Sequence, residues 1–183
     1  DRSVSRGLGD VYKRQIEDDL YVFTSAGGYV YHAADGKLSP ADELDIPDGE
    51  VQQDNKGNYW IYNNTGRVYY VNATTRAVKN FHLLPEEKMQ YIDFERYRFV
   101  HDSRDIIWMS TYGNGLFAYN LHTDELQHFT ASMSEAGHLP SDYLMYVMED
   151  RSGGIWVSAE FSGVVRLSVL NEGAAYILSL IHI

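Results

Sequence analysis

The feature that most constrains the fold is a repeat of Asp and Trp. Asp stands six residues before Trp in three places, and successive Trp residues are 48 positions apart. The three pairs are Asp54 and Trp60, Asp102 and Trp108, and Asp150 and Trp156. A fourth, shorter copy has Tyr21 at the Trp position. Self-similarity at such a period is typical of proteins built from repeated supersecondary units.

A glycine follows each of these aromatic residues at a nearly constant distance. It stands seven residues after the aromatic at Gly28, Gly115 and Gly163, and six residues after it at Gly66. We expect this Gly to precede the third strand and to permit a backbone shape that a Cβ atom disfavours. We interpret the aromatic residue itself as a packing residue between neighbouring units, because large aromatics dominate core energetics.

Each copy is predicted to contain four short strands. In the last copy these predictions are a first strand at 143–149, a turn at 150–153, a second strand at 154–159 and a third at 164–168, and the fourth strand is visible one copy earlier at 126–129. Asp at the start of the turn bonds the backbone ahead of it, and Gly153 supplies a positive φ. Four strands per repeat predict an all-β fold, a partial β-propeller of about three to four four-stranded antiparallel blades.

The two ends of the chain share no pattern with the repeats. Residues 10–15 can be encoded as GAT GTG TAT AAG AGA CAG, and the reverse complement of that string translates to residues 178–183. The codons also resemble an adapter used in preparing DNA libraries. We therefore expect residues 1–15 and 178–183 to be non-native tails and residues 16–177 to be the propeller fragment. Its repeats are predicted at about 16–48, 49–96, 97–142 and 143–177.

The motif in its clearest form, L-P-S-D-Y-L-M-Y-V-M-E-D-R-S-G-G-I-W-V-S-A at 139–159, resembles the two-component regulator propeller repeat. Departures from that repeat are Tyr21 for Trp, Asp105 for the turn Gly, Ala159 and Asn63 for Thr, and a longer lead-in at 83–97. The resemblance implies a fragment of a seven-bladed propeller in the periplasmic sensor region of a bacterial receptor. A histidine kinase would lie outside this fragment, and many members of the family detect oligosaccharides.

The resemblance also sets the expected partners: an oligosaccharide ligand, the remaining blades and sensor domains of the parent chain, and a second copy of that parent. The formal net charge of −11 argues against nucleic acid, because binding to phosphates needs a basic surface. We expect no direct membrane contact, since no polybasic anchor and no long apolar run occurs in the sequence.

A ligand surface is predicted on the loops that enter the first strand of a blade and those that join the second strand to the third. In such a meander these loops lie on one face, and they carry Tyr112, Asn114, His138, Asp142, Glu160 and Phe161. Aromatic rings beside amides and carboxylates suit sugar recognition. The alternative is that these are ordinary exposed loop residues or contacts between propellers.

Motifs for catalysis or metal binding do not emerge from the sequence. The seven histidines have no ligand spacing of the H-x-H, H-x-x-x-H or H-E-x-x-H type, and Cys is absent, so we expect no metal and no cofactor. No pair of carboxylates can be assigned to acid and base roles. We predict a non-enzymatic sensor. Two alternatives stay open: a propeller lyase or glycosidase, with His, Glu or Tyr converging on the central channel, and a pure interaction scaffold.

Overall fold

The computed structural model describes residues 12–16, 19–24, 27–42, 49–63, 65–85, 88, 96–131, 139–172 and 175–182. Within these ranges sixteen β-strands form four antiparallel sheets of four strands each, and no α-helix occurs. None of the same residues belongs to a helix with the length and hydropathy needed to cross a membrane. The predicted fold class, all-β with four-stranded antiparallel blades, is confirmed.

The first of two compact units comprises Asp1–Gln53 and Gly57–His82 and contains two meanders in which consecutive strands pair. The first sheet consists of β1 (Tyr12–Ile16), β2 (Asp19–Thr24), β3 (Gly27–His32) and β4 (Lys37–Pro40). The second consists of β5 (Glu50–Gln53), β6 (Tyr59–Tyr62), β7 (Arg67–Val71) and β8 (Val78–His82). Tyr21 and Trp60 therefore both lie on the second strand of a sheet.

The second unit comprises Asp54–Lys56 and Leu83–Ile183 and contains the other two meanders. The third sheet consists of β9 (Arg98–His101), β10 (Ile106–Ser110), β11 (Leu116–Asn120) and β12 (Leu126–Phe129). The fourth consists of β13 (Leu144–Glu149), β14 (Ile155–Ala159), β15 (Gly163–Glu172) and β16 (Ala175–His182). Trp108 and Trp156 again lie on second strands, and the strand expected at 126–129 is β12.

Each unit has an apolar core formed by residues of its two sheets. In the first unit the core residues are Phe23, Val30, Ala41, Ile61, Tyr69 and Val71. In the second unit they include Trp108, Leu116 and Ala118 from the third sheet and Leu144, Val147, Ile155, Val157 and Leu167 from the fourth. The first strands of the paired sheets approach each other, β1 with β5 and β9 with β13. That arrangement is expected where blades converge on their inner strands.

Asp102 explains why Asp precedes Trp by six residues. Its carboxylate is fully buried and accepts a hydrogen bond from the Trp108 indole N–H at 3.0 Å. The other oxygen accepts the backbone N–H groups of Arg104 at 2.8 Å and Ile106 at 2.9 Å, and the Arg104 guanidinium lies 2.6 Å from Asp102 Oδ2. The spacing therefore lets one side chain close the turn and satisfy the buried indole on the following strand.

Asp150 repeats this arrangement in a more exposed setting. It accepts the Trp156 indole N–H at 2.7 Å and the backbone N–H groups of Ser152 and Gly154 at 2.7 and 3.0 Å. Hydrogen bonds from Ser152 and then Trp156 hold the pKa of Asp150 well below its usual range, because they favour the charged carboxylate. Trp108 is fully buried, whereas Trp156 is only half-buried.

The third Asp of the repeat lies in a turn that belongs to the second unit. Asp54 Oδ1 accepts the Lys56 backbone N–H at 2.9 Å. Asn55, between them, donates to the His101 carbonyl at 2.9 Å and accepts the His101 backbone N–H at 2.8 Å. These two bonds continue the β9 backbone ladder through a side chain, because an amide carries both a donor and an acceptor.

The glycine before the third strand has a positive φ in three copies: Gly66 at 78°, Gly115 at 75° and Gly163 at 75°. In the first copy the positive φ falls on Gly27 at 121°, which corrects the expectation for Gly28. Thr24 pairs with Gly27 there, so Gly28 already lies inside β3 opposite Phe23. The hairpin is shorter in that copy, and the conformational requirement moves one residue earlier.

Asp105 occupies the turn position that holds Gly in the neighbouring copies. Its φ of 60° is left-handed, a conformation that Asp tolerates better than most residues. Its Oδ1 lies 2.8 Å from His101 Nε2 and 3.2 Å from Lys56 Nζ. The hydrogen bond from His101, followed by that from Lys56, lowers the pKa of Asp105. The turn thus keeps its shape without glycine, and the side chain gains polar contacts with His101, Lys56 and His122.

Both adapter-like segments contribute backbone to the sheets. Residues 12–15 belong to β1, which pairs with β2, and residues 178–182 belong to β16, which pairs with β15. Ladder hydrogen bonds join main-chain groups, so an edge position accepts many sequences. The boundaries of the native stretch remain predictions.

Candidate functional site

The predicted ligand surface lies within the second unit. The β10–β11 connection carries Tyr112 and Asn114, the lead-in to β13 carries Asp142, and the β14–β15 hairpin carries Glu160 and Phe161. His138 lies outside the described residues. The first two segments are joined by an antiparallel bridge between Tyr112 and Tyr143. The Glu160 backbone N–H also donates to the Tyr143 carbonyl at 2.9 Å, so all three segments meet.

A direct side-chain contact joins Tyr112 and Glu160. The Tyr112 hydroxyl donates to Glu160 Oε2, and the edge of the Tyr143 ring meets the Tyr112 ring at a centroid distance of 5.2 Å and an angle of 74°. Tyr112 and Glu160 are 48 residues apart, each four residues after its Trp, so the repeat brings equivalent positions of two copies into contact. Glu160 is half-buried, and a carboxylate has acceptor sites for more hydroxyl groups than the one that Tyr112 supplies.

Arg96 adds a positive charge to this cluster. Its guanidinium carbon lies 4.5 Å from the centroid of the Tyr112 ring, a cation–π distance, and its Nη1 lies 3.9 Å from Met145 Sδ. Sequence reasoning missed Arg96 and Tyr143. Arg96 belongs to the irregular lead-in at 83–97, which has no equivalent in the other copies, and Tyr143 falls within the predicted first strand at 143–149 rather than in a predicted loop.

Asn114 is a structural residue of the loop. Only 4% of it is exposed, and its Nδ2 donates to the Tyr97 hydroxyl at 3.2 Å. Its backbone N–H donates to Thr111 Oγ1 at 3.2 Å, and His128 Nε2 lies 2.7 Å from its carbonyl oxygen. Burial raises the pKa of Tyr97 to about 12, and the Asn114 hydrogen bond opposes that shift. The ligand contact expected at Asn114 stays a prediction, and the structure buries this residue in the loop.

Asp142 joins segments of the loop to one another. Its Oδ1 accepts the Ala131 backbone N–H at 2.6 Å, and its carbonyl oxygen accepts the backbone N–H groups of Gly113 at 2.9 Å and Gly115 at 3.0 Å. A Cβ atom on Gly115 would lie 2.2 Å from the Phe129 carbonyl oxygen. Asp142 therefore holds the loop together, because its carboxylate and its carbonyl oxygen both accept backbone N–H groups.

Phe161 has the opposite character. It is fully exposed, and its φ of 58° is left-handed. Such a backbone is uncommon for a bulky residue. Tyr143, which belongs to the same unit, is 41% exposed. We call Arg96, Tyr112, Tyr143, Glu160 and Phe161 the loop surface, which combines aromatic rings with one acidic and one basic group. Among the described residues no group of His, Asp and Glu is arranged to hold a metal ion.

Solved structures provide a comparison for the fold. The chain resembles the extracellular domain assigned to the hybrid two component system BT3049 from B. thetaiotaomicron, with a TM-score of 0.53 and 15% identity, covering 94% of this chain and 24% of that one. For the corresponding domain of BT4673 from the same organism the TM-score is 0.50 and the identity 19%, and the match covers 88% of this chain and 21% of that one. For PorZ, a surface component of the type-IX secretion system of Porphyromonas gingivalis, the TM-score is 0.52 and the identity 13%, and the match covers 98% of this chain and 30% of that one.

This chain spans less than a third of the length of each of these three structures. No protein-family model matches the sequence, and no curated protein matches it. At such low identities the similarity concerns the fold: sheets of the kind found in the extracellular domains of two-component systems.

Proposed function

We propose that this chain is part of the extracytoplasmic, periplasmic sensor propeller of a two-component regulatory receptor. Two kinds of observation support the proposal. The sheets resemble those of extracellular domains assigned to hybrid two component systems, and the Asp-to-Trp repeat resembles the propeller repeat of such receptors. In this proposal a kinase elsewhere in the receptor receives the signal, the remaining blades and sensor domains complete the structure, and two receptor copies form a dimer.

The proposed ligand is an oligosaccharide bound at the loop surface. The observation that carries this part is the fully exposed Phe161 next to Glu160, whose carboxylate is held by Tyr112. A sugar ring presents an apolar face, which an exposed aromatic side chain covers, and a rim of hydroxyl groups, which a carboxylate and a guanidinium bind. Binding would bury Phe161 and offset the cost of its exposure and left-handed backbone.

Calorimetry with the full chain tests this proposal. We would titrate it with malto-oligosaccharides, xylo-oligosaccharides and galacturonate oligomers, each as a separate probe. Phe161→Ala and Glu160→Gln are expected to weaken the binding of any probe that the wild-type chain binds by about tenfold or more, as truncation of an anchor does. Tyr31→Ala is the control for the loss of an exposed aromatic ring, because Tyr31 is 40% exposed and lies in the first unit, outside the loop surface.

The outcomes separate the three functions. Saccharide binding that depends on Phe161 and Glu160 supports the sensor. Cleavage of a probe that Glu160→Gln and His138→Ala abolish would favour the lyase or glycosidase alternative. No binding of any probe, by the chain or by the intact receptor that contains it, would favour the interaction scaffold. A loss of binding in Tyr31→Ala equal to that in Phe161→Ala would contradict the assignment of the loop surface.

A further inference from the structure

A Ser, a His and an Asp form a hydrogen-bonded chain on one face of the first sheet. His32 Nε2 lies 3.0 Å from Ser39 Oγ, and His32 Nδ1 lies 3.1 Å from Asp19 Oδ2. The strands dictate this contact. Asp19 is the cross-strand partner of His32, and Ser39 is the partner of Val30, two residues before His32 on the same face of β3. Such direct and diagonal neighbours lie within reach of each other.

The tautomer of His32 follows from the group that each ring nitrogen contacts. An ionised Asp19 can only accept, so His32 Nδ1 carries the proton that it donates to the carboxylate. In the neutral ring Nε2 is then unprotonated and accepts the Ser39 hydroxyl proton. The proton of the Ser39 hydroxyl therefore points at a base, and that base is oriented by a carboxylate. This is the arrangement by which serine hydroxyls are activated as nucleophiles.

The same residues open onto a cavity. His32 and Ser39 line a cavity of about 320 Å³, and part of its wall is apolar, formed by Val30, Pro40 and Ala41. Asp42, an acidic residue, also lines it. A cavity of this size holds a small molecule. The apolar wall suits a short acyl chain, and the acidic group disfavours an anionic substrate.

We propose that Ser39, His32 and Asp19 form an acyl-transfer site for short-chain, uncharged carboxylic esters. Ser39 Oγ attacks the ester carbonyl carbon while its proton passes to His32 Nε2. The alcohol leaves with that proton, and the acyl group stays on Ser39. Water then attacks the acyl carbon and gives a proton to His32 Nε2, which returns it to Ser39 Oγ as the carboxylic acid departs. Asp19 stabilises the imidazolium at both stages and does not itself change protonation.

Tyr21 also lines the cavity and brings a phenol to it. A phenol hydroxyl is one of the donors that stabilise the oxyanion of an acyl-transfer intermediate. This site lies in the first unit, and the loop surface proposed for saccharides lies in the second. The two proposals therefore stand or fall separately.

The direct test uses 4-nitrophenyl acetate with the full chain, followed by mass spectrometry of its peptides. We expect acetylation at Ser39 together with release of 4-nitrophenolate. Ser39→Ala abolishes the adduct at this position, and His32→Gln and Asp19→Asn slow the release by about 100-fold, the scale of general-base catalysis. Ser103→Ala is the control, because the Ser103 hydroxyl donates to a carboxylate, that of Glu149, rather than to an imidazole. It should match the wild-type chain.

A second measurement covers the case in which these variants fold poorly. The chain contains no Cys, so Ser39→Cys and Ser103→Cys each introduce a single thiol. Next to His32, the Cys at position 39 should be alkylated by iodoacetamide about tenfold faster near neutral pH, because an adjacent base lowers a thiol pKa from its usual ~8.5. The double variant Ser39→Cys with His32→Gln should lose that advantage. Equal alkylation at positions 39 and 103, or acetylation independent of Ser39, would overturn the proposal.

Discussion

The buried Asp102 gives the sharpest prediction about stability, through the substitution Asp102→Ala. The change removes the acceptor of the Trp108 indole N–H at 3.0 Å and of the Ile106 backbone N–H at 2.9 Å, both in buried contacts. An unpaired buried donor costs about 1–3 kcal/mol, so the two give roughly 2–6 kcal/mol. The substitution also removes a charged group that is costly to bury, and this gain offsets part of that loss. We expect a net decrease of about 3 kcal/mol in the free energy of unfolding, or about a 100-fold change in the equilibrium constant.

The assay is urea denaturation of the full chain, followed by tryptophan fluorescence and by circular dichroism. Asp150→Ala is the matched control, because Asp150 accepts the same indole and backbone bonds but its side chain is 24% exposed. Water can replace the acceptor there, and the loss should be clearly smaller. The double variant Asp102→Ala with Trp108→Phe should cost less than the sum of the single changes, since Phe has no N–H to leave unpaired.

Equal losses of stability for Asp102→Ala and Asp150→Ala would refute this reasoning. Such a result would mean that the Asp side chain acts through the turn backbone and that burial of the indole donor contributes nothing. Strict additivity of the Asp102 and Trp108 substitutions would refute it independently.

Three further predictions concern other residues of the second unit. Gly115→Ala should lower the melting temperature strongly, because Gly115 has a φ of 75° and a Cβ there would lie 2.2 Å from the Phe129 carbonyl oxygen. Asp105→Asn should reduce the dependence of the melting temperature on pH under acidic conditions. Hydrogen bonding from His101 lowers the pKa of Asp105, so the Asp105 carboxylate stabilises the fold above about pH 3.9 and this stabilisation is lost as the pH falls below it. Tyr97→Phe should reduce the loss of stability at alkaline pH. Burial raises the pKa of Tyr97 to about 12, so the wild-type chain loses stability as the pH rises from about 10 toward that value.

Controls for these three variants are available in the chain. Gly153→Ala has a φ of 80° but its Cβ would lie 3.8 Å from the nearest side-chain atom, so it should cost less than Gly115→Ala, and the reverse order would contradict the steric argument. For Asp105, thermal melts between pH 2 and 6 should show the melting temperatures of the wild-type chain and of Asp105→Asn converging at the lowest pH. For Tyr97, ultraviolet titration of phenolate should show one late-ionising phenol fewer in Tyr97→Phe than in the wild-type chain, in which burial and Asp124 also raise the pKa of Tyr119. An unchanged number of late-ionising phenols would contradict the assignment.

The blades themselves were readable from the sequence because their signals are local. Asp102 and Trp108 lie on one turn and the strand after it, so their hydrogen bond imposes a fixed spacing that any copy must keep. Asp105 was recognised as standing in a glycine position, and its φ of 60° shows why that departure is tolerated. The position of the positive φ in the first copy was misplaced by one residue, because the length of that hairpin depends on its register, in which Thr24 pairs with Gly27.

What each polar residue does was decided by the tertiary structure. The sequence placed Tyr112, Asn114, Asp142 and Glu160 on neighbouring loops. Only the fold shows that the Asn114 amide is buried against Tyr97, that the Asp142 carboxylate binds a backbone N–H group, and that Tyr112 contacts Glu160. The contact of Asp19, His32 and Ser39 has no motif at all, since it arises from cross-strand pairing between three strands.

By itself, then, the sequence determined that the chain forms repeated four-stranded blades, because spacing along one strand and its turn records hydrogen bonds made within a few residues. It could not determine which loop side chains are exposed or which hydroxyl meets an imidazole. Those contacts depend on strand register and on the approach of loops far apart in the chain, and only the folded backbone defines such distances.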